Sequence, residues 1–166
     1  NSPYFSTKIW TADADILVAG LPDSIQTAIK IAEADSLFNT DSYENANKVF
    51  AKKHGRKTEY KKHPYDTLKY KRDRFIYNYM WGPSEFTSTG TLRNYDIHET
   101  LKDITVPVLF TTGEFDEARP QTVKKFKYMV PNSTFVIIEG AGHATSNDNR
   151  PALIAAIKKF LKNRKK

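Results

Sequence analysis

Two glycine-bearing loops hold the residue types from which chemistry can be built: Gly113-Glu114-Phe115-Asp116-Glu117 and Gly140-Ala141-Gly142-His143. If the loops meet, Asp116 and His143 form the orienting half of a hydrolytic triad. The carboxylate would fix the imidazole tautomer and stabilise the imidazolium formed when the ring takes a nucleophile's proton. Glycines beside the histidine permit a sharp backbone turn. Spacing alone leaves a second reading equally open, in which Asp116 caps the helix opened by Pro120 and His143 is an ordinary loop residue. His54, His63 and His98 share no ligand spacing with acidic neighbours, so they read as surface or packing residues and no metal is expected.

The elements around these loops alternate strand, helix, strand, helix. Val106 to Thr111 is a short, nearly continuous apolar run that fits a buried parallel strand, with Pro107 near its start. Pro120 opens a helix carrying Val123, Phe126, Lys127 and Met129, and Thr134 to Ile138 forms the second strand. Pro151 begins a last helix whose Leu153, Ile154, Ile157, Phe160 and Leu161 are expected to face inward. In such a βαβα unit the strands are parallel, so both loops fall on the sheet edge where open α/β sheets bind ligands.

The first half of the chain reads as helical. Asp23 or Ser24 can cap a helix with Ile25, Ala28, Ile29 and Ala32 on one face, bracketed by Pro22 and Asn39. Ser42 can cap another with Tyr43, Ala46, Val49 and Phe50, ended by Gly55. Aromatic residues then crowd from Tyr60 to Trp81, before Gly82-Pro83 stops any regular element.

The 166 residues contain no cysteine, which excludes disulfides and thiolate chemistry. No run approaches the roughly 20 apolar residues that span a bilayer, so no membrane segment is expected. The opening NSPYFSTKIW has neither a signal-peptide pattern nor an initiator Met; it reads as part of a longer or processed product, with a cytoplasmic setting favoured. The net charge of +7 is uneven: residues 47–74 hold eleven Lys/Arg against three acids, and residues 158–166 hold six more. The remainder is therefore acidic and suits a cationic group better than a phosphate. The basic, tyrosine-bearing strip could contact single-stranded nucleic acid, but a solvated helical surface accounts for it better, and no nucleic-acid partner is expected.

The runs TVPVLFTTGEFDEARP and FVIIEGAGHATSND resemble the last two strands of α/β-hydrolases. With YNYMWGPSEFTSTGTLRNYDI ahead of them, the chain resembles the proline iminopeptidase (prolyl aminopeptidase) family, most closely from about Tyr77 to Asn149. The segment Gly82-Pro83-Ser84-Glu85-Phe86 separates that family from general esterases. The resemblance implies that Asp116 is the triad acid, that His143 is the triad base, and that Glu85 and Glu117 bind the substrate's free α-amino group. It also implies a small pocket for proline, with Phe86, Tyr79 and Trp81 as candidate lining, although aromatics this dense are more often core. No cofactor is implied. The partner is a peptide with a free N-terminus, and an esterase or amino-acid amidase is the alternative chemistry on the same scaffold.

One departure from the family matters. An α/β-hydrolase needs a Gly-x-Ser-x-Gly nucleophile elbow, and none of the seven glycines flanks a serine in that pattern. In the family the elbow and most strands precede the cap, so Asn1-Ser2-Pro3 resembles the end of the strand leading into it. The expected fold is the C-terminal part of an α/β-hydrolase with a helical cap, the nucleophile-bearing N-terminal part being absent from this chain. Residues 1–90 would form the mostly helical cap region and 91–166 the βαβα core. Two strands leave a sheet edge uncovered, so a missing part on a separate chain or a longer precursor is expected, and this piece alone should be inactive.

Overall fold

A computed structural model describes residues 1–59 and 74–163. Helix α1 spans Thr7–Ala19, capped by the Ser6 hydroxyl, which accepts from Ile9 N–H. Its sequence gives little periodic signal because Asp13 lies on its buried side. That acid is only 7% exposed, and is neutralised by Arg119 Nη1 at 2.7 Å and hydrogen-bonded by the Tyr4 hydroxyl. Helix α2, Asp23–Asp35, buries Ile25, Ile29 and Ala32. Pro22 takes its N-cap position without a side-chain bond, and Ser36, in the left-handed region, ends it before Asn39. Helix α3, Asp41–Phe50, buries Tyr43, Ala46 and Phe50, and its cap is Thr40 rather than Ser42. A π-helical turn over Ala51–Gly55 follows.

Helix α4 covers Arg74–Met80, and a 3-10 turn covers His98–Asp103. The two strands are β1, Val108–Gly113, and β2, Ser133–Ile138, paired in parallel from Val108↔Ser133 to Gly113↔Ile138. β1 begins two residues later than the apolar run suggested, because Pro107 lacks a ladder donor; Val106 is 62% exposed. Helix α5, Pro120–Met129, crosses between the strands and buries Thr122, Val123 and Phe126. Short helix α6, Thr145–Asp148, leads into α7, Arg150–Lys162.

Two apolar clusters result. One joins α1, α2 and α3 with Phe86; the other packs Leu101, Phe110, Ala118, Val123, Phe126 and Val130 beneath the sheet, with Tyr4, Phe5 and Ile9 against it. Trp10 packs on both. Two expectations are corrected here. No residue of α7 is buried, and Ile154, Ile157 and Leu161 are exposed, because two strands are too narrow to cover that face. Asn1-Ser2-Pro3 has no strand conformation; Ser2 turns through the left-handed region, although its N–H bonds Thr111 O at 2.7 Å.

Among the described residues no helix is long and apolar enough to cross a membrane. Of the basic, tyrosine-bearing strip, residues 60–73 lie outside the described residues, as does His63.

Candidate active site

β1 and β2 end side by side, so their following loops emerge together. A Cβ on Gly113 would stand 2.2 Å from Gly142 O, and one on Gly142 would stand 2.7 Å from His54 O and Gly55 O. Only glycine permits such backbone contact between the two loops and the π-helical turn. His143 N–H then bonds His54 O, and Ala144 N–H bonds Gly55 O, each at 2.9 Å.

In this arrangement Asp116 meets His143, with Nδ1 to Oδ1 at 2.9 Å. Asp116 is 1% exposed and does not cap α5. Its Oδ1 also accepts Ala118 N–H at 2.8 Å, while Oδ2 accepts Gly113 N–H at 3.0 Å, Thr112 Oγ1 at 3.0 Å and Ser2 Oγ at 2.6 Å. Burial raises the Asp116 pKa, but the His143 and Ser2 hydrogen bonds, the imidazolium charge and the Gly113 N–H outweigh it, so the carboxyl sits below its ordinary value. A carboxylate on Nδ1 holds the proton there and leaves Nε2 as the basic nitrogen.

His143 is 43% exposed at its side chain. Burial lowers its pKa, yet the Asp116 hydrogen bond and the charges of Glu117, Asp116 and Glu85 more than reverse this, leaving it raised. Glu117 is 6% exposed, with Oε1 3.6 Å from His143 Nδ1. Glu85 approaches from the helical side. It lines a cleft of about 630 Å³ together with His143, Trp81, Trp10, Tyr4 and Met80. Two carboxylates therefore lie within hydrogen-bond or ion-pair distance of one imidazole, and a third lines the same apolar cleft.

The three aromatic candidates separate. Trp81 lines the cleft, with its Nε1–H bonded to Ser84 O at 2.9 Å and its ring edge-on to Trp10. Phe86 is instead part of the helical core, against Tyr43 and Phe50. Tyr79 is 62% exposed and stacks on Phe75. The core alternative describes Phe86, which turns inward from its loop, whereas Tyr79 points outward from α4 and is in neither the core nor the cleft lining. His98 lies between Asp96 and Glu99, whereas His54 is 7% exposed with Nδ1 3.1 Å from Phe115 O. Among the described residues no group of three His, Asp or Glu side chains is placed to hold a metal.

Sequence reasoning missed Ser2 and Asp148. The Asp148 carboxylate accepts Lys57 N–H at 3.0 Å, Thr58 N–H at 2.9 Å and Gly142 N–H at 2.9 Å, tying the end of the π-helical turn to the histidine loop. Its pKa is lowered, the N–H groups of Lys57, Gly142 and Thr58 outweighing burial. Its nearness to His143 in sequence was a faint signal; Ser2 offered none.

No family model matches the chain. A proline iminopeptidase of Heyndrickxia coagulans is 35% identical over 165 residues, covering 97% of this chain and 56% of that protein. One of Saccharolobus solfataricus is 32% identical over 146 residues, covering 87% of this chain and 47% of that protein. The crystal structure of a proline iminopeptidase of Mycobacterium smegmatis superposes with a TM-score of 0.79 at 28% identity, covering 95% of this chain and 54% of that one. That of VinJ does so with a TM-score of 0.81, also at 28% identity, covering 95% and 54%. The chain spans about half the length of the curated relatives it matches. By sequence and by fold, the chain is similar over nearly its whole length to proline iminopeptidases, and its architecture is that of the C-terminal part of an α/β-hydrolase.

Proposed function

We propose that the complete protein is a serine aminopeptidase releasing proline, or a similar small residue, from the N-terminus of peptides. This chain supplies Asp116 as triad acid, His143 as triad base, and Glu85 and Glu117 as the carboxylates that hold the substrate's α-ammonium. An N-terminal part, on a longer precursor or a separate chain, supplies the Gly-x-Ser-x-Gly nucleophile and the oxyanion hole; without it the 166 residues are inactive.

The observation that favours this reading over a plain esterase is the grouping of carboxylates. Beside Asp116, which bonds His143 and four other donors, Glu117 lies 3.6 Å from the same ring and Glu85 lines the same cleft. An ester substrate has no positive group for two further acids, whereas a free N-terminus does.

In the proposed cycle His143 Nε2 takes the serine Oγ proton as Oγ attacks the scissile carbonyl carbon. The tetrahedral intermediate collapses, breaking the C–N bond, and the imidazolium gives its proton to the departing amine. Water then attacks the acyl-enzyme ester, with its proton passing to His143. Cleavage of the ester returns the serine hydroxyl and releases proline. Asp116 keeps Nδ1 protonated throughout, and Trp81 forms one apolar wall beside the pyrrolidine ring.

The test compares Pro-anilide, N-acetyl-Pro-anilide and an acyl ester on the complete enzyme. Losing two charge-assisted hydrogen bonds should lower kcat/KM for the acetylated substrate by about 100-fold or more. Equal turnover of blocked and free substrates overturns the amine clamp and favours the esterase or amidase reading. Asp116→Asn should reduce kcat on the order of 10³- to 10⁴-fold.

A further inference from the structure

Glu85 stands on a four-residue turn, Ser84–Thr87, that is held from beneath by one buried hydroxyl. Ser84 and Thr87 form an isolated antiparallel bridge, with Thr87 N–H bonded to Ser84 O at 3.3 Å. The Tyr43 hydroxyl of α3 lies 2.8 Å from Ser84 Oγ and 2.9 Å from Thr87 Oγ1, so it spans both ends of the turn. Its single proton serves one of these oxygens and its lone pairs the other. Tyr43 is fully buried, Ser84 is 5% exposed and Thr87 is 8% exposed, so water does not compete for these bonds. Thr87 Oγ1 continues to Glu33 Oε1 at 2.7 Å.

The two residues inside the turn take opposite sides. Phe86 enters the helical core, its ring edge-on to that of Tyr43 at 5.8 Å. Glu85 is left on the cleft side, and its carbonyl accepts Trp10 Nε1–H at 2.5 Å. At Gly82, with φ +153°, a Cβ would lie 2.2 Å from Thr87 O, so the chain closes tightly behind the turn.

We infer that Tyr43 is a positioning residue for substrate recognition: its hydroxyl fixes the Ser84–Thr87 turn so that Glu85 holds the α-ammonium at a set distance from the scissile carbonyl. This rests on the assignment of Glu85 to the amine. A carboxylate on a slack turn would still attract an ammonium but would hold it in many orientations, and aligned binding is where such a clamp contributes to rate.

The experiment uses the complete enzyme and two readouts: kcat and KM for Pro-anilide, and the rate of serine labelling by a neutral fluorophosphonate, which reports the triad without an amine. Tyr43→Phe keeps the ring and removes the hydroxyl. The ratio of Pro-anilide kcat/KM to labelling rate should fall about fivefold, mainly through kcat because the ammonium is still bound but less well aligned, as expected for one hydrogen bond. Ser84→Ala and Thr87→Val, which cut the same link from the other side, should lower the ratio similarly and supply the answer if Tyr43→Phe does not fold. Glu85→Gln is the control. If it lowers the ratio while the other variants leave it unchanged or lower both rates in parallel, Tyr43 only packs and the inference is overturned. If Glu85→Gln itself leaves the ratio unchanged, the amine assignment fails and takes the inference with it.

Discussion

At Asp116 a carboxylate with almost no solvent contact collects five hydrogen bonds, and the sum of their effects sets the protonation state of the whole dyad. The lowered Asp116 pKa makes its contribution to stability present above the unfolded-state value, and lost as pH falls through the folded one. The raised His143 pKa gives the opposite dependence, a contribution present at low pH and lost as pH rises through the folded value. In the proposed role of general base His143 must be neutral, so the acid limb of kcat/KM should be shifted upward from the ordinary histidine value. Glu117→Gln removes one charge that raises it and should move that limb to lower pH, read from the pH dependence of fluorophosphonate labelling. Ser2→Ala deletes a buried donor to a charged oxygen. It should cost about 1.5–3 kcal/mol in urea unfolding of the complete protein.

Between elements, contact of the two site loops depends on backbone rather than on side-chain packing. Gly113 lets β1 run against the histidine loop, and carbonyls of the π-helical turn accept the N–H groups of His143 and Ala144. Asp148 closes this assembly by gathering N–H groups from residues 57, 58 and 142. Asp148→Ala leaves those amides without their acceptor. Their hydrogen exchange should accelerate by about tenfold or more while exchange in α5 and β1 stays unchanged, as local opening predicts. Retained protection at Lys57, Thr58 and Gly142 would show that the carboxylate is not what holds the segments together.

At the scale of the molecule, the apolar surface is unevenly covered. Helix α5 is buried on β1 and β2, whereas α7 presents Ile154, Ile157 and Leu161 at 43%, 41% and 54% exposure, and Ile137 of β2 stands 45% exposed. The relatives are nearly twice as long as this chain. If the proposed N-terminal part completes the sheet, it covers this surface. Ile157→Asp should then cost more than about 2 kcal/mol in the complete protein, against the roughly 0.5 kcal/mol expected at a true surface position. Urea unfolding of the two complete proteins measures the difference.

Local patterns in the sequence were enough to locate β1, α5 and β2 to within two residues, along with the stripes of α2 and α3, because those elements follow from apolar runs and from proline and glycine punctuation. They also placed Asp116 and His143 on adjacent loops, since parallel pairing brings the ends of both strands to one edge. Other features were decided only by the tertiary structure. α1 carries a weak periodic signal because a buried ion pair replaces an apolar residue on its inner face. Phe86 and Glu85 are neighbours in sequence, yet one fills the core and the other lines the cleft, on a turn bridged by the hydroxyl of Tyr43, 41 residues before Ser84. Ser2 reaches Asp116 across 114 residues, and Asp148 reaches Lys57 across 91. Such contacts have no period to detect. A buried carboxylate requires donors wherever the fold brings them, and only the packed chain determines which residues those are.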